Sequence, residues 1–213
     1  MQLAYRTEVG HVRQRNEDAL LVRPERGVLA VADGLGGHPA GDVASLTAIS
    51  SLDRAPLSGE SSESDVRAAT LAAHEAVLAA ADEEPGREGM GTTLVLAALG
   101  EATARVLHVG DSRAYLLEPS GQLRALTQDH GLNGYLSQAL GLDRAVEPDV
   151  VDVECPPGSR LLLCTDGLTN MVDDAAITDL LGRGDAQAAC DGLVETALAN
   201  GGIDNVTVIV VAF

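Results

Sequence analysis

Apolar residues recur every three or four positions in parts of the chain and form short unbroken runs through most of the rest. Val66, Ala69, Ala73, Val77 and Ala80 keep the helical interval, which predicts an amphipathic helix over 65–82. Ala189, Leu193 and Ala197 predict another over 186–199, with Asp185 placed to cap it and Gly201 to end it. A third helix is expected over 41–52, where Gly41, Ala44 and Ala48 allow close packing on a sheet. The runs 20–23, 28–32, 92–98, 102–109, 113–117, 150–153, 160–164 and 206–213 are apolar and often β-branched, which predicts strands. Leu99-Gly100-Glu101 suggests a hairpin between two of them, and 56–64 and 83–89 read as surface loops. Strands follow one another and helices are grouped. The expected class is therefore α+β, with antiparallel sheets carrying helices on their faces.

Length and composition narrow the chemistry. At 213 residues the chain is expected to form one domain, 1–213. It has no Trp and one Phe, so the core is built from Ala, Val, Leu and Ile. Its net charge is −18, and all 14 basic residues are Arg. Without Lys there is no P-loop lysine, kinase lysine or Schiff-base lysine. Such an acidic chain is a poor partner for nucleic acid or anionic lipid. Cys155, Cys164 and Cys190 lack C-x-x-C spacing and read as reduced thiols of a cytoplasmic protein. No secretory signal and no run long enough to span a membrane is visible.

The informative feature is where Asp falls. Asp33 follows Val28-Leu29-Ala30-Val31-Ala32 and precedes Gly34; Asp111 follows Val106 to Gly110; Asp166 follows Leu161 to Thr165 and precedes Gly167; Asp204 precedes the last strand. Asp-Gly is ordinary turn chemistry. Four such turns at the lips of apolar strands point further, because a half-desolvated carboxylate needs a counter-charge. Few Arg lie nearby in sequence, which leaves hard divalent cations such as Mg²⁺ or Mn²⁺ as partners. Gly34, Gly36 and Gly37 miss the spacing of a dinucleotide fingerprint. Arg13, Asn16, Glu17 and Asp18 form either a solvated charged turn or an Arg that forks onto phosphate beside a metal-supporting acid.

Seven segments occur in order: Arg13-x-x-Asn16-Glu17-Asp18, Val31 to His38, Gly89-Met90-Gly91-Thr92-Thr93, Val109 to Arg113, Leu126 to His130, Cys164 to Leu168, and Asp204-Asn205-Val206-Thr207. Together they resemble the protein phosphatase 2C family of metal-dependent serine/threonine phosphatases, in its bacterial form. The resemblance implies a four-layer α-β-β-α sandwich. It implies two Mn²⁺ or Mg²⁺ ions, with Asp33 bridging them, the Gly34 carbonyl as a further ligand, and Asp166 and Asp204 on the first ion. Asp18, with Glu17, would hold water on the second, and Asp111, sharing Asp166, would bind a third, weaker ion. Arg13 would clamp the phosphate, and a metal-activated water would attack without a phosphoenzyme. The implied partners are phosphorylated proteins, with serine/threonine kinases and their substrates as the natural class.

Two departures accompany the resemblance. Only 131–138 separate His130 from Ala139-Leu140-Gly141, where bacterial members usually carry a longer helical flap. Leu35 stands where many animal members have a proposed general-acid histidine, so the leaving oxygen must take its proton elsewhere; His38, close by, reads equally well as a helix-start residue. Two other readings remain: a phosphatase for anti-sigma-factor antagonists, and an inactive metal-binding module that binds phosphoproteins. Retention of Asp33, Asp166 and Asp204 argues against the latter.

Overall fold

In a computed structural model of the chain, the described residues are 1–35, 40–132, 135–142 and 145–213. One antiparallel sheet contains β1 (Gln2–Glu8), β12 (Val206–Ala212), β11 (Arg160–Cys164), β6 (Arg113–Leu117) and β7 (Leu123–Ala125), in that order. The other contains β10 (Asp149–Glu154), β5 (Thr103–Val109), β4 (Leu94–Leu99), β3 (Val28–Asp33) and β2 (Asp18–Arg23). Helices α1 (Gly41–Arg54) and α2 (Glu63–Glu83) cover the second sheet. The first is covered by α3 (Asp166–Thr169), α4 (Asp174–Leu181) and α5 (Ala186–Ala199). This is the expected α-β-β-α sandwich.

The continuous apolar runs follow from burial on both strand faces. In β3, Val28, Ala30 and Ala32 face α1 and α2, while Leu29 and Val31 face the opposite sheet. In β12, Val206, Val208 and Val210 face α5, and Ile209 and Val211 meet the other sheet. The layer between the sheets is aliphatic, built from side chains such as Leu29, Val31, Leu161, Leu163, Ile209 and Val211.

All three expected helices form. Helix α2 starts earlier than expected, because Ser62 and Asp65 make a reciprocal capping box inside the stretch read as loop. Asp185 caps α5 by accepting the Ala188 amide at 2.9 Å. The amides of Gly201 and Gly202 close its end on the carbonyls of Leu198 and Ala197. The run 92–98 becomes a strand only from Leu94, with Thr92 bridging separately to Gly34 and Leu140. The short flap carries a two-stranded ribbon of β8 (Gly131–Leu132) and β9 (Tyr135–Leu136).

Candidate metal centre

Strand alternation delivers the acidic residues to one place. Asp33 continues the phase of Leu29 and Val31, so its side chain belongs to the layer between the sheets. Asp18 lies directly opposite Asp33 in the β2–β3 ladder and shares its face. Asp166 opens α3 where the chain leaves β11, and Asp204 lies in the turn entering β12. Two carboxylates thus come from each sheet. They meet at the mouth of the inter-sheet layer, where burial and mutual repulsion both raise carboxyl pKa values.

Burial, then the charges of Asp18 and Asp166, push the Asp33 carboxyl well above the usual range; a hydrogen bond with Asp166 and the charge of Asp204 push the same way. Burial also raises Asp166, with opposing help from its hydrogen bonds to Asp33 and Asn170. The Asn170 amide donates to Asp166 Oδ2 at 3.0 Å. Burial raises Asp111 to about 6, with Asp166 and Asp129 adding to the effect, so Asp111 belongs to the same field. Asp18 rises to about 7, chiefly by burial, even though two hydroxyls stabilise its charged form. Its Oδ2 accepts from Thr207 Oγ1 at 2.6 Å and Thr165 Oγ1 at 2.9 Å. Its Oδ1 is buried without a hydrogen-bond partner among the described residues.

That orphaned oxygen tests whether a cation fits. A buried acceptor without a donor is costly; both nearby hydroxyls are spent on Oδ2, and the charged neighbours Asp33, Asp166 and Asp204 are themselves carboxylates. A set of crowded oxygens with one lone pair left over matches a hard divalent ion. Part of the counter-charge comes from a distant Arg, contrary to the impression from sequence neighbours: Arg13 donates to Asp204 Oδ2 at 2.7 Å. Glu17 sits beside the cluster, its amide held by Asn205 Oδ1 at 2.8 Å.

The glycines act through space. A Cβ on Gly34 would lie 2.2 Å from the Gly41 carbonyl oxygen and 2.8 Å from that of Glu17. A Cβ on Gly167 would lie 1.9 Å from the Asn205 carbonyl oxygen. These are backbone obstacles that cannot rotate away, so glycine lets α1, β2 and the Asp204 turn close on the carboxylates. Of the sequence-predicted residues, Arg13, Asp18, Asp33, Gly34, Asp111, Asp166 and Asp204 converge here. His38 lies outside the described residues.

Several organising residues carried no role in the sequence reading. Thr93 Oγ1 accepts the Asp33 amide at 3.0 Å, the Thr93 amide donates to the Asp33 carbonyl at 2.9 Å, and Thr92 Oγ1 donates to that carbonyl at 2.9 Å. Asn205 Nδ2 donates to the carbonyls of Val9 and Arg15, tying the Arg13 loop to the site. Their only sequence signal was membership of the Gly-Thr-Thr and Asp-Asn-Val-Thr segments. The three thiols are buried, and burial pushes Cys164 up to about 12, so none is a nucleophile.

The family model for protein phosphatase 2C matches residues 8–198. The chain belongs to the protein phosphatase 2C family. It is by class a protein serine/threonine phosphatase, and a metal-dependent one. It is 35% identical to the serine/threonine phosphatase stp of Listeria welshimeri, over 99% of this chain and 95% of that protein. That alignment runs over 241 positions, more than the 213 residues here, so this phosphatase lacks segments the relative has. It is 36% identical to the serine/threonine protein phosphatase PstP of Mycobacterium tuberculosis, over 99% of this chain and 44% of that one. The crystal structure of a PstP catalytic domain in complex with two manganese ions superposes with a TM-score of 0.88, at 36% identity, covering 98% of this chain and 96% of the other. No helix among the described residues of this phosphatase is long and apolar enough to cross a membrane.

Proposed function

We propose that residues 1–213 form one phosphatase domain that removes phosphate from serine and threonine of proteins at the centre built by Asp18, Asp33, Asp166 and Asp204. The observation that carries this is the buried Asp18 oxygen without a donor among the described residues, inside a cluster of carboxyls drawn from both sheets. Asp33 would bridge two divalent ions, Mn²⁺ as in the PstP structure or Mg²⁺, with the Gly34 carbonyl, Asp166 and Asp204 as further ligands. Asp18 and Glu17 would orient water, and Asp111 with Asp166 would take a third, weaker ion. When bound, such ions lower the pKa of coordinated water and neutralise phosphate charge.

The chain's own residues supply the rest. Thr92 and Thr93 fix the Asp33 backbone, and Thr165 and Thr207 fix Asp18. Arg13, on the exposed rim, exchanges its Asp204 partner for phosphate oxygens and orients the ester. The three thiols are buried and held protonated, so none offers a thiolate for a covalent phosphoenzyme, which supports direct hydrolysis. Substrates are phosphoproteins made by serine/threonine kinases, met in the cytoplasm.

Phosphate release from a phosphothreonine peptide, with Mn²⁺ and then with EDTA, tests the proposal. Activity should require the metal and be lost in Asp33→Ala. Turnover in EDTA, or wild-type activity in that variant, would refute the assigned centre.

A further inference from the structure

A second cluster of metal-ligating side chains lies at the far edge of the inter-sheet layer. His108 on β5 and Asp149 on β10 are directly opposed in the ladder, so they share a face. His130 comes from the segment leading into the flap ribbon, and its ring lies 4.3 Å from that of His108, centroid to centroid. One nitrogen of each ring and one Asp149 oxygen all lie within 4.8 Å of one another. His130 and Asp149 also line an open groove of about 620 Å³ beside the flap.

The hydrogen bonds fix the tautomers. His108 Nε2 is 2.8 Å from the Gly110 carbonyl oxygen, which can only accept, so Nε2 carries the proton. His108 Nδ1 therefore holds a lone pair, and it is buried without a partner among the described residues; the residue is 1% exposed. A ring whose far N–H donates to a carbonyl while its other nitrogen stays unpaired has the arrangement of a metal-ligating histidine. Burial and the neighbouring His130 keep the ring neutral, pushing its pKa down to about 4. The Gly110 amide donates to His130 Nδ1 at 3.3 Å, so His130 Nε2 carries its proton and donates to Asp149 Oδ2 at 3.0 Å.

We propose that His108, His130 and Asp149 form a separate site for a borderline divalent metal such as Zn²⁺, with its open position toward the groove. Two imidazoles and one carboxylate select such an ion, whereas the all-oxygen centre selects hard cations. Loading moves the His130 proton from Nε2 to Nδ1, and the Gly110 amide then loses its acceptor. Occupancy is therefore transmitted to the turn that leads into Asp111. This inference does not depend on the roles given to Asp33 or Arg13.

Cobalt(II) is the probe, because tetrahedral imidazole-bound cobalt absorbs visible light strongly and octahedral oxygen-bound cobalt weakly. The full chain, held in saturating Mg²⁺, is titrated with cobalt. A strong band should grow to one equivalent and be bleached by one equivalent of Zn²⁺. In His130→Ala and Asp149→Ala, affinity should fall at least about tenfold. Asp166→Asn should keep the band. No band in the wild type, a band unchanged in both His130→Ala and Asp149→Ala, or a band lost only in Asp166→Asn would overturn the proposal.

Discussion

Replacing Asp33 by Asn should stabilise the metal-free protein and abolish its stabilisation by metal, two effects of opposite sign. Asp18 and Asp33 are directly opposed in an antiparallel ladder, where Cβ atoms lie about 5 Å apart. Two carboxylate charges about 5–6 Å apart repel by about 3 kcal/mol at an effective dielectric of about 20. The raised pKa of Asp33 favours its protonated form, which relieves part of this strain through the hydrogen bond to Asp166. Asn mimics that protonated state and donates to the same oxygen, so the expected gain is about 1–3 kcal/mol, largest at alkaline pH. In a chain of this size this raises Tm by about 3–10 °C in EDTA. The wild type in Mn²⁺ at about a hundred times Kd gains about 2.7 kcal/mol, or roughly 5–10 °C, and the variant gains almost none. Differential scanning calorimetry at pH 8, with EDTA and with Mn²⁺, measures all four values. A variant less stable in EDTA, or one that keeps the Mn²⁺ shift, would refute the picture of crowded carboxylates awaiting a cation.

Gly167→Ala drives a methyl into the Asn205 carbonyl; it should cost about 1–3 kcal/mol and displace Asp166 from Asp204, so kcat should fall more than stability accounts for. Ser62→Ala removes the α2 cap far from the site, and urea denaturation should show a loss of about 1 kcal/mol with unchanged kcat. His108 has a depressed folded-state pKa, so its neutral form contributes fully above pH 6.5 and the contribution is lost as pH falls toward about 4. The stability difference between wild type and His108→Asn in EDTA should shrink by about 3 kcal/mol over that window, and a constant difference would contradict the burial argument.

The long helices and double-sided strands were legible because burial imposes period 3.6 or an unbroken aliphatic run. Strand β1 escaped notice because it is a sheet edge: only Ala4 is buried, and Arg6 and Glu8 pair with each other in the half-solvated row. Helix α4 is two turns long, too short for its interval to stand out. At the site, Asp residues beside glycine were visible, but the pairing of Asp18 with Asp33 depends on ladder register, which no local pattern encodes. The same holds for Thr165 and Thr207, whose hydroxyls meet on an acid more than a hundred residues away in sequence. The Arg13–Asp204 pair is invisible locally for the same reason, since its partners are 191 positions apart.

The threonine contacts to Asp18 have a mechanical consequence. Asp18 belongs to one sheet, while Thr207 lies in the other and Thr165 just beyond its strand β11; the middle of the layer they join is aliphatic, and the Thr93–Ser112 hydroxyl pair and the Glu17–Asn205 bond cross it at the same end. Sliding of one sheet over the other would be nearly unopposed by aliphatic packing but would tear these bonds first. Alignment of the two slabs is therefore registered at the reactive end of the sandwich, and lesions deep in the molecule should reach turnover before they reach the melting curve.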